Sequence, residues 1–394
     1  MEGRIGILGL NDVSVSLARA FYEEGLKVDC LYAESNFLSD EYPLAKFSRC
    51  FEEFIEFPMK DKEDLKGLKE VLKSKSYDMV LEGERGYAKV LSDNKEELSK
   101  YANIIIPGKE KHSLMYNKEE MFNTALKAGV SVPETVFIDS KEDLSKEFLD
   151  NIGEKIVVKN LESSGGVGVE IVDKEKVFEV IESFEGERLM VQEYIDGETK
   201  VHVVVCGEGE VLGVLQQEWV RQGINGGPPV YKKIEELDGK ILETTKKWVE
   251  EANWTGFANF EYKVNEEGIF FIENNGRVTG TLGSNVKAGI NLPKIGYEYL
   301  MEENISDAGY EPGFCTRHIV RDVEWVLKNF FYGEEVHGTA PWSQYFSEWK
   351  NFLKGKETVY QFRWYDPLPA LATFYFLFVE FLKGVSPFHE RRLV

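Results

Sequence analysis

Glu261, Glu273, Asn275 and Arg277 lie within the stretch FANFEYKVNEEGIFFIENNGRVTGT, residues 257–281, at spacings that build an acidic pocket beside a guanidinium. Phe260, Tyr262 and Val264, then Phe270 and Ile272, alternate with mostly polar positions, the period of a half-buried strand. Between them, Glu266, Glu267 and Gly268 suit a three-residue turn with the glycine left-handed. That register predicts Glu261 directly opposite Glu273, with Asn275 and Arg277 continuing the same face. Two opposed carboxylates repel unless a cation lies between them, and hard oxygen ligands suit Mg²⁺ bridging phosphates. A solvent-facing polar strand would explain an isolated Glu-x-Asn; the fit of Glu261 and Arg277 to the same face weighs against it.

An upstream cluster is suited to anions. Ile156 to Lys159 reads as a short apolar strand ending in a cation, and it runs into Ser163, Ser164, Gly165, Gly166, Val167 and Gly168 before a second strand, Val169 to Val172. The glycines let backbone N–H groups turn toward an anion, and Lys159 offers a point charge to the same oxygens. No Gly-Lys-Ser/Thr follows, so this is not a P-loop; by itself the segment also reads as an ordinary turn. A third segment, Leu189 to Glu198, reads as a strand leaving one lobe and a turn entering the next. Such a hinge presents backbone donors and acceptors to an adenine edge, with Gln192 near the exocyclic amine and Glu198 near the ribose hydroxyls. A buried strand with an acidic turn is the plainer reading of that segment alone.

In order, the lysine strand, glycine-rich loop, hinge and paired carboxylates with Glu-x-Asn-x-Arg resemble the ATP-grasp superfamily, over roughly Gly3 to Leu300 and most strongly from Lys118 to Thr281. The resemblance implies ATP and Mg²⁺ as cofactors, with Mn²⁺ as a substitute. It implies that Lys118 and Lys159 contact nucleotide phosphates, that Ser163 to Gly168 close over them, and that Gln192, Glu193, Tyr194 and Ile195 hold adenine. Glu261, Glu273 and Asn275 would bind the metal, and Arg277 would steady the acyl phosphate. Further similarity is to the carboxylate:amine ligase branch that includes D-aspartate ligase. It is carried by Ile5 to Asn11, the helix Leu17 to Phe21, Phe47-Ser48-Arg49, Asn117-Lys118 and Asp366 to Ala370. Asn117 stands before Lys118 where an acid is commoner. Thr199 occupies the place where some relatives put a ribose-binding acid, so Glu198 takes that role here.

The chain has 394 residues, 43% of them hydrophobic, enough for two to four compact lobes, and a net charge of −22 that repels polyanions and argues against nucleic acid as a partner. Cys30, Cys50, Cys206 and Cys315 are far apart, and residues 1–12 offer neither a basic start nor a cleavable apolar segment, so a reducing cytoplasm is expected.

Residues 1–112 alternate strands (Arg4 to Leu10, Lys27 to Ala33, Met79 to Leu81, Asn103 to Ile106) with helices (Ser14 to Glu24, Asp61 to Lys73, Lys95 to Tyr101). That is the pattern of a doubly wound parallel sheet. Asn11, Glu84 and Arg85 follow strand ends, where such sheets bind ligands, and are candidates to hold the carboxylate or amine substrate; structural turn residues are the other reading. The expected fold is α/β, with this domain followed by a small ATP-grasp lobe at 113–192, a large lobe with the metal site at 193–305 and an aromatic-rich helical extension at 306–394. Asn117 is expected to cap a helix with the apolar face Met121, Phe122, Ala125 and Leu126, ended by Gly129.

Trp219 to Lys233 combines glycine, proline and cations without periodicity, which reads as a long mobile loop. It is either a lid with Arg221 toward a substrate carboxylate or a surface excursion. Lys200 is a candidate to face the phosphates, and His202 on the same strand reads as structural. The apolar run Ala370 to Leu382 is too short to cross a bilayer of roughly 30 Å as a helix. Burial in the protein or in a homodimer is expected for it ahead of peripheral membrane contact, which would suit a lipid-linked acceptor.

The expectation is an ATP- and Mg²⁺-dependent ligase that activates a carboxylate as an acyl phosphate and joins it to an amine, with an amino-acid or cell-wall-peptide type of acceptor. The alternatives are a non-catalytic ATP-binding regulatory protein and a small-molecule kinase.

Overall fold

The computed structural model describes residues 3–34, 42–161, 168–184, 187–223, 229–280, 282–306, 309–332, 342–359 and 361–382. Three sheets organise the chain. The first is parallel, with β1 (Arg4–Leu8), β2 (Lys27–Ala33), β3 (Glu53–Phe57), β4 (Met79–Glu82) and β5 (Asn103–Ile104) in the order β3-β2-β1-β4-β5. The chain reverses its winding between β1 and β4, so the carboxyl ends of those two strands open a crevice. Strand β3, Glu-Phe-Ile-Glu-Phe on an exposed edge, lacks period-two alternation and went unrecognised in the sequence, as did the helix Arg85–Asp93.

The second sheet is antiparallel: β6 (Thr135–Ile138), β7 (Lys155–Asn160), β8 (Val169–Asp173) and β9 (Leu189–Glu193) in the order β6-β9-β7-β8. The third contains β10 (Glu198–Gly207), β11 (Glu210–Gln222), β12 (Pro229–Ile234), β13 (Gly256–Val264), β14 (Ile269–Asn275), β15 (Cys315–Arg317) and β16 (Glu357–Val359). Its order is β14-β13-β10-β11-β12-β15-β16. The region after residue 306 is therefore not only helical, because β15 and β16 extend this sheet. Likewise most of Trp219 to Lys233 is strand rather than loop; residues 224–228 lie outside the described residues.

The two faces of the large sheet do different things. On one, Val204, Phe260, Tyr262 and Phe271 pack with Trp248 of the helix Gly239–Ala252 and with Met121 and Ala125 of the helix Lys118–Lys127. Leu126 of that second helix, expected in its apolar face, is 59% exposed. On the other face, Val201, Val203, Leu215 and Ile234 pack toward the parallel sheet through Leu17 and Phe21 of the helix Asp12–Tyr22 and through Leu282, Leu292 and Ile295. The second face looks onto the crevice of the first sheet.

Near the carboxyl end, the helix Leu368–Leu382 buries Ala370 and Ala372 and stacks Phe376 on Tyr42 at 4.7 Å. Its opposite flank, Leu371, Phe374, Tyr375 and Phe378, is exposed, so the expected burial holds for one side only. Among the described residues no helix is long and apolar enough to cross a membrane.

Candidate functional site

The acidic pair is formed by a turn and a bulge acting together. Strands β13 and β14 pair Val264 with Ile269 and Tyr262 with Phe271, and then Glu261 with Glu273, so Ile272 is an extra residue in β14. A bulge of this kind switches the face on which the following side chains lie. Phe271 consequently enters the aromatic core, while Glu273, two residues on, emerges on the opposite face with Glu261 and Asn275. The sequence reading reached the same Glu261–Glu273 pair with a three-residue turn and no bulge. The turn instead has four residues, Asn265 to Gly268, braced by Asn265 Oδ1 accepting from the N–H groups of Glu267 and Gly268, and Gly268 is not left-handed. Phe271, not Phe270 or Ile272, is the buried residue.

Asn275 Nδ2 donates to Glu261 Oε1 at 3.2 Å and to Glu273 Oε1 at 2.8 Å. Burial, then the charge of Glu273 and a shared hydrogen bond with it, push the Glu261 carboxyl well above the usual range, against the pull of Lys159 and Lys263. A buried carboxylate pair of this kind is stabilised by a cation. Among the described residues no three His, Cys, Asp or Glu side chains gather to hold an ion unaided. Two carboxylates and one amide fit a hard divalent ion whose remaining oxygens come from phosphate and water.

Two lysines approach, one from the small sheet and one from the start of the helix Lys118–Lys127. Lys159, at the end of β7, donates to Gln192 Oε1 at 3.0 Å, and burial lowers its pKa while Glu273 and Glu261 raise it. Gln192 in turn donates to Thr135 Oγ1 at 2.9 Å, which holds the acceptor for Lys159 in place. Lys118 sits in the first turn of a helix capped by Asn117 and reaches the carbonyls of Asn160 and Leu161 at 3.2 and 3.1 Å. Burial lowers its pKa, Glu273 raises it, and Lys159 and Arg85 lower it further, so these side chains share one field.

Gly168 closes the β7–β8 hairpin with φ +68, and its carbonyl accepts from Asn160 N–H at 3.0 Å. Ser163, Ser164, Gly165 and Gly166 lie outside the described residues. In the hinge, Glu193 N–H is committed to Glu134 O and Tyr194 N–H to Lys155 O, which joins residues 193–195 to the small sheet just before β10 enters the large one.

Arg277 follows β14 rather than continuing it, in a bend at Gly276 where a Cβ would meet Trp254 at 2.3 Å. Its guanidinium acts on Glu82, a residue the sequence reading missed. Glu82 ends β4 in the crevice of the parallel sheet and accepts Val278 N–H at 3.0 Å, and burial pushes its carboxyl up to about 7. Its second oxygen, Oε2, is buried without a hydrogen-bond partner. The only sequence signal was its position at a strand end beside Glu84. Arg85 lies over the Tyr116 ring at 5.0 Å.

Other expected site residues are engaged elsewhere. Asn11 caps the helix Asp12–Tyr22 by accepting from Val13 and Ser14 N–H, and Glu84 accepts from Leu10 and Asn11 N–H, so both brace the crevice loops. Lys200 pairs with Tyr262 on the face opposite Glu261 and is bound by Glu198, Glu235 and Glu218. Glu198 lies on the same face as Lys200, while alternation places Thr199 on the face of Glu261. Arg221, 2% exposed, is locked between Asp322 and Glu348 with Trp325 stacked on it, and does not project as a lid cation. His202 bonds Thr245 Oγ1 at 2.8 Å and Gln216 Oε1 at 3.0 Å within the core, away from the acidic pair.

Residues 116–227 match the family described as RimK-like ATP-grasp domain, and residues 185–321 match the one described as ATP-grasp in the biosynthetic pathway with Ter operon. The large chain of carbamoyl phosphate synthase from Archaeoglobus fulgidus is 24% identical over 218 residues, which is 52% of this chain and 20% of that protein. The chain thus spans about a fifth of that relative's length. Among solved structures, the biotin carboxylase domain dimer of Hydrogenobacter thermophilus 2-oxoglutarate carboxylase, in complex with MgADP, ADP and bicarbonate, superposes with a TM-score of 0.61 at 16% identity, covering 80% of this chain and 73% of that one. L-amino acid ligase from Bacillus licheniformis gives a TM-score of 0.54 at 18% identity, covering 77% of each chain.

Proposed function

Starting from the two ATP-grasp family matches, over residues 116–227 and 185–321, we propose that the chain is an ATP- and Mg²⁺-dependent ligase joining a carboxylic acid to an amine. The observation that carries this reading is the convergence of Lys159 with the opposed Glu261 and Glu273, whose fields act on one another.

In the first step a carboxylate oxygen of the acid attacks the γ-phosphorus of ATP, the bond to the β-phosphate oxygen breaks, and an acyl phosphate and ADP result. In the second, the amine nitrogen attacks the acyl carbon, phosphate leaves with the bonding pair, and the amine proton passes to a base. Lys159 and Lys118 supply positive charge to the phosphate oxygens, and Gln192 holds Lys159 in place by accepting its hydrogen bond. Glu261, Glu273 and Asn275 are the residues that would hold Mg²⁺, which offsets charge on the triphosphate when bound. Arg277 is assigned to the acyl phosphate and the oxyanion that follows it, and Glu82 beside it is suited to the amine proton, since a carboxyl near 7 exchanges protons at neutral pH. No covalent enzyme nucleophile is needed; positioning and electrostatics supply the rate.

The test is phosphate release by purified protein with ATP, Mg²⁺ and pooled acids and amines, with mass identification of the new amide. Release that requires an acid and an amine together supports ligation. Accumulation of a phosphorylated product without amide marks a kinase, and nucleotide binding with no turnover across the panel marks a regulatory ATP-binding protein.

A further inference from the structure

Three sequence motifs that the proposed chemistry leaves unused, the helix Leu17 to Phe21, Phe47-Ser48-Arg49 and Asp366 to Ala370, meet in one buried clasp. Arg19 is 4% exposed and donates from Nε to Asp366 Oδ2 at 2.8 Å, from Nη1 to Gln361 O at 3.0 Å and from Nη2 to Asp366 O at 2.6 Å. Asp366, buried as well, also accepts from Ser48 Oγ at 2.8 Å and from Arg49 N–H at 3.0 Å. Residues 361–366 thus wrap the Arg19 guanidinium, and a buried pair with this many hydrogen bonds holds a fixed geometry. The helix that carries Arg19 begins next to its cap Asn11, in the crevice of the parallel sheet, so the clasp is fastened to one wall of the site.

From the clasp the same segment reaches the other wall. Arg363 is buried and donates from Nη1 to Phe362 O at 2.9 Å and from Nη2 to the carbonyl of Gly283. Gly283 lies in the first turn of the helix Leu282–Lys287, which follows the bend that holds Arg277. Hydrogen bonds lead from that bend to Arg363. Arg277 N–H donates to Asn275 O at 2.9 Å, and its guanidinium reaches Val278 O at 3.3 Å. Val278 N–H is held by Glu82, Thr279 Oγ1 accepts from Asn259 Nδ2 at 2.8 Å, and Leu282 N–H donates to Thr279 O at 3.2 Å. The next carbonyl, that of Gly283, is the one Arg363 holds; Thr281 lies outside the described residues. The bend is therefore fixed at its start by Glu82 and Asn259 and at its end by a cation 80 residues further along the chain. Gln217 Nε2 donates to Asn285 Oδ1 at 3.1 Å and ties the same helix to β11, so loss of Arg363 frees the end of the bend without detaching the helix.

We propose that Arg363, anchored by the clasp of Asp366 on Arg19, is a positioning residue for Arg277. The task of Arg277 rests on the ligase reading; the tether itself rests on the hydrogen bonds named. Its acceptor is a neutral carbonyl, so the tether acts through position and not through charge on the substrate. Arg277 and Glu82 would shift together, because Val278 joins them, and a displacement of about 1 Å at a reacting centre costs roughly 100-fold in rate. The segment after residue 360 is then part of the machinery that handles the acyl phosphate.

The experiment compares the full chain with Arg363→Met, Arg363→Lys, Arg277→Gln and the double variant Arg277→Gln with Arg363→Met. Hydrogen exchange read by mass spectrometry follows residues 276–287, with residues 155–160 as reference. Calorimetry follows MgADP, and phosphate release is measured with ATP, Mg²⁺ and the pooled acids and amines. Arg363→Met should speed exchange across 276–287 by about tenfold or more, as loss of a charged hydrogen bond implies, and leave 155–160 unchanged. The kcat for phosphate release should fall by about tenfold or more, while KM for MgATP and the affinity and stoichiometry of MgADP stay at the wild-type values, so that unfolded protein does not account for the loss. Arg363→Lys keeps a cation and a donor and should recover part of both losses. In the Arg277→Gln background, Arg363→Met should cost less than about threefold, because a residue that acts through Arg277 has nothing left to position. Unchanged exchange in 276–287, or an equal loss of kcat with and without Arg277, overturns the proposal. If Arg363→Met does not fold, Arg363→Lys carries the same comparisons at smaller amplitude. Absence of phosphate release from the wild-type chain overturns the ligase reading instead, and exchange alone then decides whether Arg363 holds the bend.

Discussion

Glu261 and Glu273 stand opposite each other across β13 and β14, with one residue more between them on β14 than a regular ladder allows. The surplus residue, Ile272, lets Phe271 fill the core and Glu273 lie in the field of Lys159 and Lys118. Fold stability and the charged pair therefore depend on adjacent stretches of one strand, and substitutions separate them.

Phe271→Ala is expected to cost about 3–5 kcal/mol, because its ring packs among Trp248, Phe260 and Tyr262 and nothing else fills the space. Phe270→Ala, at a half-buried position, should cost less than half as much. Urea unfolding of the two variants reads the bulge directly, since a regular ladder predicts the reverse order.

Glu273→Gln keeps shape and removes charge. Phosphate release should fall by about 100-fold or more, in keeping with loss of a charged group that stabilises a phosphoryl-transfer site. A variant that turns over ATP at the wild-type rate would remove Glu273 from the chemistry.

Lys159→Met deletes the cation held by Gln192. A charged hydrogen bond contributes on the order of 1.5–3 kcal/mol, so affinity for MgADP should drop by about 10- to 100-fold in calorimetry. Gln192→Ala, which releases Lys159 from its anchor without removing it, should give a smaller loss.

Arg221→Met leaves Asp322 and Glu348 buried without that partner. Arg317 still pairs with both carboxylates, so the cost is expected to fall below the about 3–5 kcal/mol of a buried charge left with no partner. Thermal unfolding should show that loss, while KM for the acid substrate stays within twofold; a raised KM with normal stability would restore Arg221 to a lid.

Burial holds the His202 ring down to about 4, against an ordinary value of 6.5. The folded state keeps the ring neutral while the unfolded chain takes up a proton below 6.5, so His202 leaves stability intact above 6.5 and subtracts from it as pH falls from 6.5 toward 4. The integrated loss is about 3 kcal/mol. Urea midpoints between pH 4.5 and 7 should fall more gently for His202→Gln than for the wild-type chain.

The sequence alone carried the local and periodic information. Strand β2 was read at its full extent, Lys27–Ala33, and Gly129, with φ +68, follows the helix Lys118–Lys127 as its glycine suggested. Glycine, asparagine caps and period-two alternation act within a few residues, and such signals survive in the letters. The order of lysine strand, hinge and Glu-x-Asn motif was legible for the same reason.

What tertiary structure decided was facing and partnership. Lys200 and Glu198 look like site residues until the β10–β13 register turns them to the other side, and Arg221 looks like a mobile cation until Asp322 and Glu348, 101 and 127 residues away, close on it. Glu82 is one acid among 69 acidic residues in the sequence. It becomes distinctive only when the crevice of the parallel sheet removes it from water beside Arg277 and leaves one of its oxygens without a hydrogen bond. Burial and long-range pairing are collective properties of the packed chain: a charge acquires its pKa, and a strand its inward face, only when distant segments exclude solvent around them.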